Sequence, residues 1–206
     1  MNPLRTLRSY RDEPMQRVVL RAKLMRPYWR RRFRGFGDRS ILYRPDWVYG
    51  PHQIEIGDDV VILKSIWLAV ERQAWNREGP VVSIGSGVAI RPYCTISAAE
   101  SILIEENVVL SAFSTVIDPD HVHAETSPNV VWGGRLATSP IRIGRGTWIG
   151  ERVAVLRGSD IGAFCTIGSN SVVRGSIPDY SIAVGAPARV VGSTRETEVG
   201  DLRERS

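Results

Sequence analysis

The chain has 206 residues, 43% hydrophobic and 24% charged, with a formal net charge of +5. That length supports one full core. No apolar run is long enough to span a bilayer, and no apolar stretch of the kind a secretory signal needs follows the basic N-terminus. The expected compartment is the cytoplasm, with Cys94 and Cys165 as reduced core thiols rather than metal ligands.

Residues 1–39 hold 12 of the 27 Lys and Arg against only Asp12, Glu13 and Asp38. Helix-forming residues over 17–28, with Val18, Val19, Leu20, Leu24 and Met25 on a partly apolar face, predict a helical cap. Pro27 is expected to end or bend it. The expected role of this basic segment is to cover the N-terminal end of the main domain, with peripheral membrane contact as the alternative. No aromatic-and-glycine motif of a nucleic-acid reader accompanies the charge, so no nucleic-acid partner is expected.

From residue 40 a six-residue rhythm begins. It is loose at Ile54, Ile56, Val60 and Ile62, and residues 64–79, with Trp67 and Trp75, read as a longer corner excursion. Ile84, Ile90 and Ile96 are one hexad apart. Ile104, Leu110 and Val116 follow after a two-residue insertion at a corner. The rhythm is most regular at Ile143, Ile149, Val155, Ile161, Ile167 and Val173, with Thr147, Val153, Ser159, Cys165 and Ser171 at the fourth places between. A period of six fits no helix; it fits short strands joined by tight turns, three to a coil, stacked as a parallel β-solenoid. Gly144, Gly150, Gly162 and Gly168 directly follow the aliphatic residues and are expected to give the corners their backbone freedom. The domain limits are a cap at 1–39, a β-solenoid at 40–192 and a polar tail at 193–206.

Residues 118–140 leave the rhythm and carry Asp118, Asp120, His121, His123, Glu125, Trp132 and Arg135. A long loop leaving a rigid scaffold is where function usually sits. Two of the three histidines are here, and histidine ionises near neutral pH, as a general base must. His52 reads as structural.

The run Ile143-Gly-Arg-Gly-Thr-Trp148-Ile149-Gly150, the later Ile161-Gly and Ile167-Gly-Ser-Asn-Ser-Val-Val173, and the exit Val184-Gly-Ala-Pro-Ala-Arg-Val-Val191 resemble the hexapeptide-repeat acyltransferases. Within that family the likeness is to sugar and polysaccharide O-acetyltransferases. The resemblance implies an all-β, left-handed parallel β-helix, assembled as a homotrimer. It also implies acyl transfer, most simply of acetyl, from coenzyme A to a carbohydrate hydroxyl, with acyl-CoA as donor substrate and no tightly bound cofactor or metal. Placing Asp120 under the family's residue before histidine makes His121 the base; an alignment gapped elsewhere selects His123. Asp120, Asp118 or Glu125 would orient the imidazole.

Carried over likewise, Trp148, Gly150, Gly168 and Ser169 would flank or contact the pantetheine arm, and Arg174 and Arg189 would meet the nucleotide phosphates. Tyr93 would face the acceptor, and Arg135 or Arg91 would meet the carboxylate of a larger acyl substrate such as succinyl. Tyr93 falls near the place of a family asparagine, Arg174-Gly175 replaces Thr-Lys, and Glu151 stands where a small residue is common. The alternatives are the same chemistry with a succinyl donor or an amino-sugar acceptor, a metal-dependent member of the fold, and a non-catalytic solenoid.

Overall fold

The computed structural model describes residues 14–122 and 136–195, so His123, Glu125, Arg135 and the tail beyond 195 lie outside the described residues. One helix, α1 (Pro14–Arg32), precedes a solenoid of short strands. The first coil is β1 (Gly35–Phe36), β2 (Ile41–Leu42) and β3 (Trp47–Tyr49); the second is β4 (Ile54–Ile56), β5 (Val61–Ile62) and β6 (Trp67–Val70). The third and fourth are β7 (Val82–Ile84), β8 (Ala89–Ile90) and β9 (Thr95–Ala98), then β10 (Ile102–Ile104), β11 (Val109–Leu110) and β12 (Thr115–Ile117). A two-stranded hairpin, β13 (Pro119–His121) and β14 (Leu136–Thr138), interrupts the winding. It resumes with β15 (Ile141–Ile143), β16 (Trp148–Ile149) and β17 (Ala154–Leu156), then β18 (Asp160–Ile161), β19 (Thr166–Ile167) and β20 (Val172–Val173). A last partial coil of β21 (Ser176–Ile177) and β22 (Ser181–Gly185) ends in β23 (Ala188–Ser193).

Corresponding strands of successive coils pair in parallel, giving three long sheets. Sheet A runs from β1 to β21, sheet B from β2 to β22, and sheet C from β3 to β20. β23 turns back antiparallel on β22 and finishes sheet B. The register follows the hexads: Ile143 pairs with Ile161, Ile149 with Ile167 and Val155 with Val173. Each sheet therefore stacks one inward aliphatic residue on the next. In sheet A the column is Phe36, Ile56, Ile84, Ile104, Ile143, Ile161 and Ile177, all buried. Burying such a side chain contributes about 1.5–3 kcal/mol. Thr147, Ser159 and Ser171 are buried as well, at the corners. Their hydroxyls serve the corner backbone, as Thr147 shows by donating to the Gly162 carbonyl at 2.9 Å. A polar atom is tolerated there because it replaces a hydrogen bond that the turn leaves unmade.

Three expectations change. The helix does not end at Pro27 but runs through it to Arg32. The break expected over 64–79 begins only after Val70, because Trp67–Val70 is a regular strand of sheet C in register with Thr95–Ala98. The glycines after the aliphatic residues do not supply positive φ. That conformation falls two residues later, at Gly146, Arg152, Phe164 and Asn170. Gly144, Gly150 and Gly162 are required instead by the coil stacked against them: a Cβ would lie 2.5 Å from the Gly162 carbonyl carbon, 2.7 Å from the Ser169 nitrogen and 2.4 Å from the Asp179 nitrogen respectively. At Gly168 the obstacle is a Val184 methyl, 2.7 Å away.

Candidate active site

The hairpin β13–β14 leaves the solenoid at one residue. Asp118, the first past β12, is fully buried, and its carboxylate accepts from the backbone N–H groups of Ala99 (2.6 Å), Glu100 (2.9 Å) and Ser101 (2.7 Å). These three donors belong to the corner between β9 and β10, where the two-residue insertion falls. The lengthened corner thus supplies the amides that anchor the hairpin. Burial pushes the Asp118 pKa up, with the three amide donors pulling the other way.

From this anchor, Pro119, Asp120 and His121 pair with Thr138, Ala137 and Leu136. They form one wall of a cavity of about 490 Å³ on the outer face of sheet C. Its floor is a row of outward residues in register on adjacent strands, Ser97, Ile117 and Leu156. Its far side carries Arg157 and Arg174, each the first residue after a strand of sheet C, and Glu71 stands in the same position after β6. The cavity thus joins a floor of Ile117, Leu156 and the small Ser97 to five charged or ionisable groups, among them an exposed imidazole.

Asp120 faces the arginines. Its carboxylate is 3.5 Å from Arg157 Nε and 3.9 Å from Arg174 Nη2. Both pairs are partly exposed, so each contributes about 0–1 kcal/mol and acts mainly by position. Arg157 Nε is buried and has no hydrogen-bond partner among the described residues. Sequence reasoning missed Arg157. Its signal was being the lone charge in the aliphatic run 153–159.

The other expected site residues are dispersed. Arg174 lines the cavity beside His121, whereas Arg189 is on β23 at the edge of sheet B. The pair expected at the nucleotide phosphates is therefore on two different faces. Trp148 is exposed on sheet B, and its indole N–H donates to Ser111 Oγ at 2.9 Å. The Gly150 and Gly168 amides, expected to serve a pantetheine arm, already donate to the Ile167 and Ala183 carbonyls at 2.9 Å each. Ser169 stays exposed at that corner. Tyr93 does not line the cavity. It sits at the other end of β9 and stacks on Phe113, with ring centroids 4.9 Å apart. His52 packs edge-on against Trp75, with centroids 5.1 Å apart. Among the described residues no three His, Cys, Asp or Glu side chains converge as metal ligands.

Comparison with known proteins agrees with the repeat. Residues 140–175 match the family model of the bacterial transferase hexapeptide (six repeats). A Mycobacterium tuberculosis protein named as acetyltransferase Rv3034c is 44% identical over 115 residues, covering 56% of this chain and 36% of that protein. The Escherichia coli protein WbbJ, named as a lipopolysaccharide biosynthesis O-acetyl transferase, is 34% identical over 117 residues, covering 54% of this chain and 60% of WbbJ. The chain thus spans less than two thirds of the length of either relative. Among solved structures, the N-acyltransferase AntD of Bacillus cereus, in complex with dTDP and 3-hydroxybutyryl-CoA, superposes with a TM-score of 0.66 at 22% identity over 81% of this chain and 86% of AntD. A maltose O-acetyltransferase of Clostridium difficile 630 gives 0.52 at 21% identity over 89% and 90%. Residues 140–175 thus carry the hexapeptide repeat of that family, and the register of the strands continues the same winding through the other coils.

Proposed function

We propose that the protein is a coenzyme A-dependent acyltransferase that moves an acetyl group to a hydroxyl of a sugar or polysaccharide precursor. The observation that carries this reading is the placement of His121 on a clamped hairpin, over a cavity of about 490 Å³ that also holds two arginines. The likeness to proteins named as acetyltransferases supports it, WbbJ pointing to a saccharide hydroxyl.

In the reaction, His121 accepts the proton of the acceptor hydroxyl as its oxygen attacks the thioester carbonyl. The C–O bond forms, giving a tetrahedral oxyanion. Its collapse breaks the C–S bond, and the imidazolium returns the proton to the departing thiolate. No covalent acyl-enzyme is needed. Asp120 acts by holding Arg157 and Arg174 beside the reacting groups rather than by orienting the imidazole. His123 is the second choice of base.

We further propose a left-handed coil and a homotrimer in the cytoplasm. The groups assigned to the donor, Trp148, Ser169 and Arg189, belong to sheet B or its corner, and His121 to the hairpin over sheet C. A site that uses both sets draws them from two chains. A second reading, N-acylation of an amino sugar, is favoured by the likeness to AntD.

The test is free-thiol release from acetyl-CoA in the presence of a panel of neutral and amino sugars. His121→Ala should lower acceptor-dependent release by on the order of 10²–10⁴-fold. An unchanged rate in that variant, with loss in His123→Ala, would move the base to His123. Release only with amines would select the second reading.

A further inference from the structure

Helix α1 has two working faces. Ala22 and, just past the helix, Phe33 are buried, and Trp29 packs against the core, on the side facing β1 and β2. The opposite side should be polar throughout in a simple cap, and most of it is not. Leu20, Leu24 and Tyr28 are 49%, 73% and 45% exposed. At 100° per residue these three fall within an arc of about 80°, turned away from Ala22 and Trp29.

The charge around this stripe is of one sign. Pro14–Arg32 contains Arg17, Arg21, Lys23, Arg26, Arg30, Arg31 and Arg32 and no acidic residue. Arg21 and Lys23 are exposed on either side of the stripe, and Arg31, also exposed, ends it at the last turn of the helix. Arg30 is paired with Asp38, and Arg32 lies over the Tyr28 ring at 5.4 Å. The apolar surface continues off the helix into a groove of about 320 Å³ lined by Leu24, Met25, Leu42 and Tyr43, with Arg21 and Arg44 at its rim.

We propose that this face docks the protein on an anionic lipid surface, the leucines and tyrosine entering the headgroup layer and the arginines meeting lipid phosphates. An amphipathic helix with a wholly cationic polar side binds membranes in this way. A phosphate backbone of nucleic acid would match the charge but gain nothing from a largely exposed leucine. A second copy of the same face would bring like charges together. The proposal is independent of acyl transfer.

The test is co-sedimentation of the full chain with vesicles of phosphatidylcholine alone or with about 30 mol % phosphatidylglycerol. Wild type should pellet with the anionic vesicles, less so at high salt, and stay in solution with the neutral ones. Leu20→Ser/Leu24→Ser and Arg21→Glu/Arg31→Glu should each lower partition by on the order of tenfold or more. Both should keep the wild-type melting temperature, since the altered side chains are exposed. The proposal is overturned if wild type does not pellet with anionic vesicles, or if the leucine variant pellets as well as wild type. It is equally overturned if that variant abolishes a self-association of the wild type, or if a labelled DNA duplex displaces the vesicles and binds both leucine forms alike.

Discussion

Asp118 separates the scaffold from the hairpin, and its environment sets what its loss would do. Three amide N–H groups, that of Ala99 buried and those of Glu100 and Ser101 partly so, end on its carboxylate. Asp118→Ala leaves them without an acceptor, at a cost of about 1–3 kcal/mol or more. The hairpin loses its anchor with them, so acyl transfer should fall together with the denaturation midpoint, which urea titration and thiol-release assays would read side by side. Arg157→Ala is expected to behave in the opposite way. Its ion pair with Asp120 contributes about 0–1 kcal/mol, so stability should hardly move while the KM for acceptor or donor rises. Cys94 supplies a pH dependence. Burial pushes its thiol from an ordinary 9.0 up to about 11. Below pH 9 the thiol is protonated in both states; between 9 and 11 only the unfolded chain loses the proton, so stability falls as pH rises through that window. The expected loss is about 2–3 kcal/mol. Unfolding free energies measured across it should decline less steeply in Cys94→Ala than in wild type, and equal slopes would refute the assignment.

At the scale of the coil, glycines of two kinds are interleaved. Gly162 has no room for a side chain, because a Cβ would meet the backbone of Asp179 at 2.4 Å. Gly175 has open space around it but a φ of +86°. Gly162→Ala must push two coils apart, at about 1–3 kcal/mol or more. Gly175→Ala meets only the backbone preference, about 1–2 kcal/mol. Chemical denaturation should therefore rank Gly162→Ala as the more damaging, and the reverse order would show that corner conformation outweighs coil contact. The hexad was legible because each inward aliphatic residue depends only on position within its own strand. The reason for the glycines was not, because it depends on which residue of the next coil lies beneath. Corner conformation itself does not demand glycine here: Tyr93, Phe113, Phe164 and Tyr180 all have positive φ. Their rings stack in pairs, Tyr93 on Phe113 at 4.9 Å and Phe164 on Tyr180 at 5.2 Å. Such pairs offset part of the strain. The same limit explains the site. His121 was visible because it leaves the repeat, whereas Arg157 and the amides that hold Asp118 acquire meaning only through registers set by intervening insertions.

A solenoid closes neither of its ends by winding, and this chain closes the two ends differently. At the C-terminal end β23 folds back on β22, so sheet B finishes with a strand of the same chain. At the N-terminal end the cover is α1. Its Trp29 carbonyl accepts from the Phe33 amide at 2.9 Å, and Phe33 continues inward to Phe36, ring centroids 5.6 Å apart. Without the helix, the first coil would present the open edges of β1 and β2 and the uncovered apolar rings of Phe33 and Phe36. An open edge over an apolar layer is a template for a second chain. Deletion of residues 1–32 should therefore give a protein that binds a hydrophobic dye and elutes as large, concentration-dependent species in size-exclusion chromatography. It should still show the strand signal of the intact coils in circular dichroism, since those coils keep their own registers. If the truncated chain instead elutes at the wild-type position and binds no dye, the end of the solenoid needs no cover. The helix would then owe its place to its outer face alone.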